Sequence, residues 1–466
     1  MKLENLHSVY FMGIGGIGMS AIARWFNHLG IPVFGYDKTP SPLTKQLKEE
    51  GMKITYEDEE DSIEEQVKNY PASTLIVWTP AIPKNSKQLA YFRENGFDLK
   101  KRSEVLGVIT QSFYTIAVAG THGKTTTSSM VAHLLKSAGR NMAAFLGGVT
   151  QNYGSNLILN SGSGTDKPMV VVEADEFDRS FLRLHPDIAV VTSVDPDHLD
   201  IYGDAATLSE GFQAFIGLIH KDGKLFIHRK AMGKLDPKTF TGLSTTKYGI
   251  DGGEVFAENV KPGIASFSFE YVGSEQHISD LVLNVPGFHN VENALAAIAV
   301  VLQLGLSEVE IRNGLLSYRG VKRRFEIVFQ GKNRVFIDDY AHHPEEIRAF
   351  LNSVRAMYPN RKLTAIFQPH LFTRTRDFAP GFSESLSLAD EVVLLDIYPA
   401  RELPIEGINS EMLLEEISAP LKSVQKKADL LDYLQNSPPE VLVTLGAGDI
   451  DRLVEPLSKW IKEYGN

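Results

Sequence analysis

The chain has 466 residues, of which 43% are hydrophobic and 23% are charged, and its formal net charge is −11. This length exceeds what one ordinary hydrophobic core needs, so it predicts two or three globular domains. The acidic balance argues against nucleic acid as a partner, and the absence of cysteine excludes disulfides, thiolate metal ligands and a cysteine nucleophile.

The N-terminus lacks the basic start and long apolar run of a signal peptide. No apolar run of about twenty residues is present that could span a bilayer. We therefore expect a cytoplasmic protein without membrane insertion.

The first predicted elements form a βαβ unit. A short apolar strand at 9–12 leads into GIGGIGMS (13–20), a helical pattern follows, and a second strand over 31–36 ends on Asp37. Read alone, this glycine spacing is the dinucleotide fingerprint and would indicate NAD. The glycines let a pyrophosphate approach the N-terminus of a helix. The candidate ligand-binding residues are Gly13, Gly15, Gly16, Ile17, Gly18, Met19, Ser20 and Asp37.

A second glycine loop follows the apolar strand at 114–118. The common phosphate loop, G-x-x-x-x-G-K-[ST], would place a glycine at 118, where valine stands, so this loop is two residues short. It keeps Lys124 as a point charge for phosphates and the Thr125 hydroxyl for Mg²⁺. An ordinary turn before a capped helix is the alternative. The predicted ATP-binding residues are Gly120, Thr121, His122, Gly123, Lys124, Thr125 and Thr126.

Acidic groups and a histidine end the next two apolar strands. The strand at 169–172 is followed by Glu173-Ala174-Asp175-Glu176, and the strand starting at 187 by Asp195-Pro196-Asp197-His198. Ligands of open parallel sheets lie beyond the carboxyl ends of strands, which favours one shared rim. Glu173 suits Mg²⁺, and His198 is a candidate for a second ion. The alternatives are a helix-start acid and a core histidine.

The remaining elements complete an α/β pattern. Alternating strands from about 224 to 284 predict an antiparallel insertion, and a helix follows at 291–305. A third block has strands at 334–338, 363–368, 391–399 and 440–448. We predict domains over 1–110, 111–325 and 326–466. The predicted fold is a Rossmann-like N-terminal domain, a central parallel sheet of the P-loop ATPase type with a small antiparallel portion, and a Rossmann-like C-terminal domain.

Ten short motifs in chain order resemble those of the Mur ligase family. They are GIGGIGMS (13–20), GTHGKTTT (120–127), EADE (173–176), PDHLD (196–200), HNVENALAA (289–297), RRFE (323–326), DDYAHHP (338–344), QPHLFTRT (368–375), YPARE (398–402) and GAGDI (446–450). The resemblance implies three domains, for a UDP-sugar, ATP and an amino acid. It also implies phosphorylation of a muramic acid carboxylate by ATP, followed by attack of an amine on the acyl phosphate.

Within the family, the motifs follow the pattern of members that add L-alanine to UDP-N-acetylmuramate in peptidoglycan precursor synthesis. The resemblance thus implies ATP and Mg²⁺ as cofactors, these two substrates, and a monomer or weak homodimer. It places Lys124 on the γ-phosphate, with Thr125, Glu173 and His198 on metal. The other implied residues are His289, Asn290 and Asn293 near adenine, Arg324 near phosphates, Asp339 near ribose, Thr79 and His122 at the UDP-sugar, and His343 and Arg374 around the amino acid.

The chain departs from the family pattern at a few places. Phe177 and Ser193 replace a usual serine and asparagine, Trp78-Thr79 replaces two serines, and Leu371 stands where some members have arginine. No lysine lies between 199 and 220, so we predict no carbamylated lysine.

Three other functions remain as alternatives. They are a ligase that adds a whole tripeptide to UDP-muramate, an NAD-dependent dehydrogenase, and a nucleotide-switch protein without ligase activity. A dehydrogenase would bind NADH and ignore ATP, and a switch would hydrolyse ATP without needing a UDP-sugar.

Overall fold

The computed structural model describes residues 6–160, 168–196, 202–400 and 402–464. The chain forms two compact units, residues 1–248 with 296–311 and residues 249–295 with 312–466. Among the described residues, no helix combines the length and apolar character needed to cross a membrane.

Five parallel strands form the first sheet, in the order β3-β2-β1-β4-β5. The central strand is buried along its whole length and apolar apart from Ser8, as expected where helices cover both faces. The elements are β1 (Ser8–Met12), α1 (Ile17–His28), β2 (Val33–Tyr36), α2 (Pro42–Glu49), β3 (Lys53–Thr55), α3 (Glu65–Lys68), β4 (Thr74–Trp78), α4 (Lys87–Glu94), β5 (Asp98–Lys101) and α5 (Arg102–Ser112).

The second sheet has seven strands in the order β12-β11-β10-β6-β9-β7-β8. All neighbours pair in parallel except β7 and β8. The elements are β6 (Tyr114–Ala119), α6 (Lys124–Ser137), β7 (Met142–Phe145), β8 (Leu157–Asn160), β9 (Met169–Ala174), β10 (Ile188–Val191), α7 (Ala205–Ile216), β11 (Lys224–His228), α8 (Arg229–Met232) and β12 (Ser244–Tyr248).

A buried polar network joins the two sheets of the first unit. The amide of Asn156, just before β8, donates to the Ser20 hydroxyl at 3.0 Å and accepts from the Arg24 guanidinium at 2.5 Å. Arg24 also donates to the Glu50 carboxylate at 2.8 Å. Because these bonds are directional and Asn156 is fully buried, they fix α1 against the second sheet. One hydrophobic core runs through both sheets.

The second unit contains an antiparallel three-stranded sheet and a six-stranded sheet in the order β16-β17-β21-β18-β19-β20, where only β16 is antiparallel. Helices α9 and α10 include residues of both units. The elements are β13 (Phe256–Pro262), β14 (Phe267–Val272), β15 (His277–Leu283), α9 (Phe288–Gln303), α10 (Glu308–Ser317), β16 (Glu326–Gln330), β17 (Val335–Asp339), α11 (Pro344–Met357), β18 (Leu363–Phe367), α12 (Phe372–Asp377), α13 (Ala379–Leu386), β19 (Glu391–Leu394), α14 (Ser410–Glu416), β20 (Leu421–Val424), α15 (Leu430–Asn436), β21 (Val441–Leu445) and α16 (Val454–Tyr464). Short 3₁₀ helices occur at Glu60–Ser62, Pro71–Ser73, Phe177–Arg183, Pro237–Phe240 and Asp449–Leu453.

The predicted α/β fold class with three main sheets is confirmed, but the antiparallel insertion is shorter than predicted. Strands β11 and β12 pair in parallel as part of the second sheet, and antiparallel pairing begins only at β13. The reason is that β12 lies at the edge of the sheet and four of its five residues are exposed or partly exposed, so it lacks the continuous apolar run of a central parallel strand. The domain boundaries near 110 and 325 remain a prediction.

Candidate active site

The short phosphate loop lies between β6 and α6, and its backbone requires glycine at both ends. Gly120 has a φ of +138°, and a Cβ there would lie 2.1 Å from the Thr192 hydroxyl. Gly123 has a φ of +81° and precedes the first residue of α6. The loop therefore still leads directly to a helix N-terminus, whose free N–H groups favour an anion.

The loop is held to the segment that follows β10. The Thr121 hydroxyl donates to the Asp195 carbonyl at 2.9 Å and accepts from its N–H at 3.0 Å. The Ser193 hydroxyl accepts the His122 N–H at 2.7 Å. Ser193, one of the departures from the family pattern, thus fixes the loop backbone. The side chain of His122 lies 3.6 Å from the Asp195 carboxylate.

Lys124 makes a buried ion pair that the sequence reasoning missed. Its Nζ lies 2.8 and 2.9 Å from the two carboxylate oxygens of Glu176, and it donates to the Gly120 carbonyl at 2.6 Å. Burial opposes the charge of Lys124, but nearby carboxylates, first that of Glu176, raise its pKa overall. Burial raises the pKa of Glu176 to about 7, although Lys124 acts to lower it. The sequence contained one indication of this ion pair. Glu176 ends the EADE motif, which follows β9, and β9 is a parallel neighbour of β6.

Two of the three predicted metal ligands, Glu173 and Thr125, lie beside the loop. Glu173 is opposite Val118 in the β6–β9 ladder, so it approaches the phosphate loop from the adjacent strand. The Gly147 N–H donates to its carboxylate at 2.8 Å, and a Cβ at 147 would lie 2.5 Å from both oxygens. Thr125 and Thr126 are buried in the first turn of α6. A carboxylate and a hydroxyl are hard oxygen donors that fit Mg²⁺. His198 lies outside the described residues.

A cavity of about 560 Å³ connects the first glycine loop to this acidic strand end. Seven of the predicted UDP-sugar residues line it: Gly13, Gly16, Ile17, Gly18, Met19, Asp37 and Thr79. The far side is formed by Phe145, Leu146, Gly147, Glu173, Asp175 and Phe177. The cavity therefore spans from the glycine loop after β1 in one sheet to Glu173, the predicted metal ligand, in the other.

The three remaining residues of the predicted UDP-sugar set do not line this cavity. The Gly15 N–H donates to the Asp37 carboxylate at 2.7 Å, which fixes the glycine loop. The Ser20 hydroxyl is buried and donates to the Ile17 carbonyl at 2.9 Å. His122 belongs to the phosphate loop.

In the second unit, Asp339 and Arg324 belong to one cluster. The Asp339 carboxylate accepts the N–H groups of Phe325 at 2.6 Å and Ala341 at 2.7 Å, and burial raises its pKa to about 7. The Arg324 guanidinium lies 3.7 Å from the Glu346 carboxylate and 5.0 Å from the centre of the Tyr340 ring. This cluster offers a cation beside an aromatic ring.

In the first turns of α9, Asn290 and Asn293 are buried and His289 is partly buried. Burial lowers the pKa of His289 to about 4, so its imidazole is neutral at physiological pH, and its ring centre lies 6.0 Å from that of Phe325. The Asn290 amide donates to the Pro286 carbonyl at 2.7 Å and accepts from Asn293 at 3.2 Å. These bonds orient both asparagines.

His343 and Arg374 are linked through Phe378. The His343 ring packs edge-on against Phe378 at 4.8 Å, and the Phe378 N–H donates to the Arg374 carbonyl at 3.1 Å. His343 also caps α11 by accepting the Glu345 N–H at 3.3 Å. Arg374 is only 9% exposed, which argues against an ordinary solvated arginine.

Comparison with known proteins gives a consistent result along the chain. Three family models match: "Mur ligase family, catalytic domain" at residues 8–114, "Mur ligase middle domain" at 118–301, and "Mur ligase, glutamate ligase domain" at 323–448. The chain is 48% identical to the UDP-N-acetylmuramate–L-alanine ligase of Phocaeicola vulgatus, covering 97% of this chain and 98% of that one. It is 47% identical to the protein of the same name from Flavobacterium psychrophilum, covering 99% and 100%.

Two solved structures have the same fold over the whole chain. The crystal structure of the UDP-N-acetylmuramate–alanine ligase of Thermotoga maritima aligns with a TM-score of 0.80 at 28% identity, covering 98% of this chain and 99% of that one. A murein peptide ligase from Psychrobacter arcticus aligns with a TM-score of 0.67 at 24% identity, covering 98% of both chains. At 24% identity the second likeness concerns the fold alone.

Proposed function

Since this chain belongs to the Mur ligase family, we propose that it joins L-alanine to the carboxylate of UDP-N-acetylmuramate at the expense of ATP, in peptidoglycan precursor synthesis. Relatives named for this reaction are 46–48% identical over at least 97% of the chain. The dehydrogenase and the nucleotide switch are not favoured, because these relatives share the whole chain rather than one domain. The tripeptide-adding ligase is not favoured either, because the relatives named for L-alanine addition are 46–48% identical to this chain, whereas the murein peptide ligase is 24% identical.

The structural observation that supports this function is the cavity of about 560 Å³ in the first unit. A UDP-sugar whose pyrophosphate lies at the glycine loop can extend its sugar carboxylate toward Glu173. That carboxylate would then approach the same rim as Lys124, where a γ-phosphate would lie. A dinucleotide at the glycine loop would leave unexplained the second phosphate loop, which follows β6 next to Glu173.

The proposed chemistry needs no protein nucleophile. A carboxylate oxygen of the sugar attacks the γ-phosphorus, the bond to the β-phosphate oxygen breaks, and ADP leaves. The amine of L-alanine then attacks the acyl phosphate, and the tetrahedral intermediate expels phosphate with one former carboxylate oxygen. Lys124 stabilises the charge on the transferring phosphoryl group. Exclusion of water from the closed site would protect the acyl phosphate from hydrolysis.

The other predicted roles are proposals of the same kind. Arg324, Asp339, His289, Asn290 and Asn293 would bind ATP, and His343 and Arg374 would bind the amino acid. A neutral, partly buried His289 suits contact with an uncharged base. We also propose that the protein is cytoplasmic and that it is a monomer or a weak homodimer.

A labelled ligation assay tests the proposed reaction. The assay uses UDP-N-acetylmuramate with ¹⁸O in its carboxylate, and the acceptors are each of the twenty amino acids and a tripeptide in turn. We expect phosphate release with L-alanine above all others. The released phosphate should contain one labelled oxygen, because that oxygen bonds to phosphorus in the acyl phosphate. Activity only with a tripeptide would contradict the proposed reaction. Release of unlabelled phosphate would contradict the acyl phosphate intermediate.

We also propose that Thr125 and Glu173 hold Mg²⁺, which would neutralise charge on the phosphoryl oxygens. Activity should vanish with a chelator and return with Mg²⁺. Glu173→Gln keeps the volume but removes the charge, so it should raise the Mg²⁺ concentration needed for half-maximal rate by roughly tenfold or more. The matched control is Glu104→Gln, which removes the acidic side chain in the first turn of α5 and should leave the Mg²⁺ dependence unchanged. An unchanged Mg²⁺ dependence in Glu173→Gln would exclude the ligand role.

A further inference from the structure

Arg102 is a cation of the 560 Å³ cavity that the sequence analysis did not single out. It is the first residue of α5 and directly follows β5. Strands β1, β4 and β5 are parallel neighbours, so the segments after them share one edge of the sheet. The glycine loop, Thr79 and Arg102 therefore line the same cavity although they lie up to 90 residues apart.

The Arg102 guanidinium occupies space that only a glycine leaves open. A Cβ at Gly18 would lie 2.9 Å from its Nη1 and 3.4 Å from its Cζ. Gly18 is the second residue of α1, so the guanidinium lies beside the helix N-terminus where an anion is favoured. The geometry thus adds a full positive charge to the partial charge of the helix.

The hydrogen-bonding capacity of Arg102 is largely unused among the described residues. Its side chain is 23% exposed, and its ion-pair partner, the Asp175 carboxylate, lies 3.6 Å away, beyond ordinary hydrogen-bond distance. A mostly buried guanidinium with five donors normally binds a carboxylate or phosphate with two parallel bonds. Lys38 is the other lysine or arginine that lines the cavity, whereas Asp37, Glu173 and Asp175 are acidic.

We propose that Arg102 binds an anionic pair of oxygens on the UDP-sugar substrate and thereby determines affinity for it. This inference rests on the proposed function. Two groups of the substrate have the required chemistry, the pyrophosphate and the muramic acid carboxylate. The Arg102 guanidinium lies between Gly18, at the glycine loop, and Asp175, near Glu173. It is therefore placed between the proposed positions of the pyrophosphate and the muramic acid carboxylate.

Titration calorimetry without ATP tests this inference with three probes: UDP, UDP-N-acetylglucosamine and UDP-N-acetylmuramate. Arg102→Gln should weaken binding of at least one probe by about ten- to a hundredfold, the loss expected for a charge-assisted hydrogen bond. Equal weakening of all three would assign Arg102 to the pyrophosphate, and weakening of UDP-N-acetylmuramate alone would assign it to the carboxylate. Arg102→Lys should restore only part of the affinity, because an ammonium cannot form two parallel bonds.

The controls separate this inference from the proposed function. Lys101→Gln removes an equal charge from the adjacent exposed residue, which does not line the cavity, and should leave all three affinities unchanged. Affinity of Arg102→Gln for ATP should also match the wild type. Unchanged binding of every probe by folded Arg102→Gln would overturn the inference while leaving the proposed function intact. A wild-type protein that bound none of the probes would contradict both.

Discussion

Replacing Lys124 with alanine is expected to lower the ligation rate by roughly 100- to 1,000-fold, because the variant loses the charge that stabilises the transferring phosphoryl group. The effect should appear in kcat, measured by phosphate release at saturating substrates, more than in the KM for UDP-N-acetylmuramate. Near-normal turnover of a folded variant would contradict the phosphate-loop assignment.

The ion pair with Glu176 requires a second variant to separate stability from catalysis. Removing the Lys124 ammonium leaves the Glu176 carboxylate, which is 1% exposed, without this cation. Breaking a buried ion pair in this way lowers the free energy of unfolding by about 3–5 kcal/mol. Lys124→Ala should therefore lower the Tm. The decrease should be largest above pH 7, where Glu176 is ionised in the wild type. Adding Glu176→Gln should recover most of the Tm but none of the activity. Recovery of both would mean that Lys124 acts only by supporting the fold.

The second large effect is expected at Arg374. Its buried guanidinium suits a bidentate bond to the α-carboxylate of L-alanine, so Arg374→Ala should lose about 2–4 kcal/mol of binding. That loss corresponds to a KM for L-alanine raised roughly 30- to 1,000-fold, with little change in the KM for ATP. Arg374→Lys should restore only part of the affinity, because an ammonium is a single point charge.

Arg376 provides a matched control for this variant. It lies in the same short helix, α12, but is about half exposed and bonds to the neighbouring Asp377 at 2.8 Å. Arg376→Ala should leave the KM for L-alanine near the wild-type value, since exposed ion pairs contribute little. L-alaninamide lacks the carboxylate charge, so it should be a poor acceptor that loses little further in Arg374→Ala. Equal losses for alanine and alaninamide would place Arg374 outside the amino-acid site.

Local sequence was sufficient to predict the fold class and the two glycine loops that lead into helices α1 and α6. A strand followed by glycines and a helix needs only backbone geometry within about ten residues, as the positive φ values of Gly13, Gly120 and Gly123 illustrate. The apolar strands were equally predictable, because strands of a sheet covered on both faces are apolar throughout. The acidic strand end at Glu173 followed from the same alternation of strands and helices.

Tertiary structure decided which distant side chains meet at these loops. Lys124 pairs with Glu176, and Thr121 bonds to Asp195, because β9 and β10 are the neighbours of β6 although β7 and β8 intervene in sequence. Arg102 reaches Gly18 for the same reason, since β4 separates β5 from β1 in the first sheet. A strand order that departs from chain order is fixed by packing of whole helices and sheets. The sequence around each residue therefore determined the local backbone conformation, and the order of the strands determined which distant side chains that residue contacts.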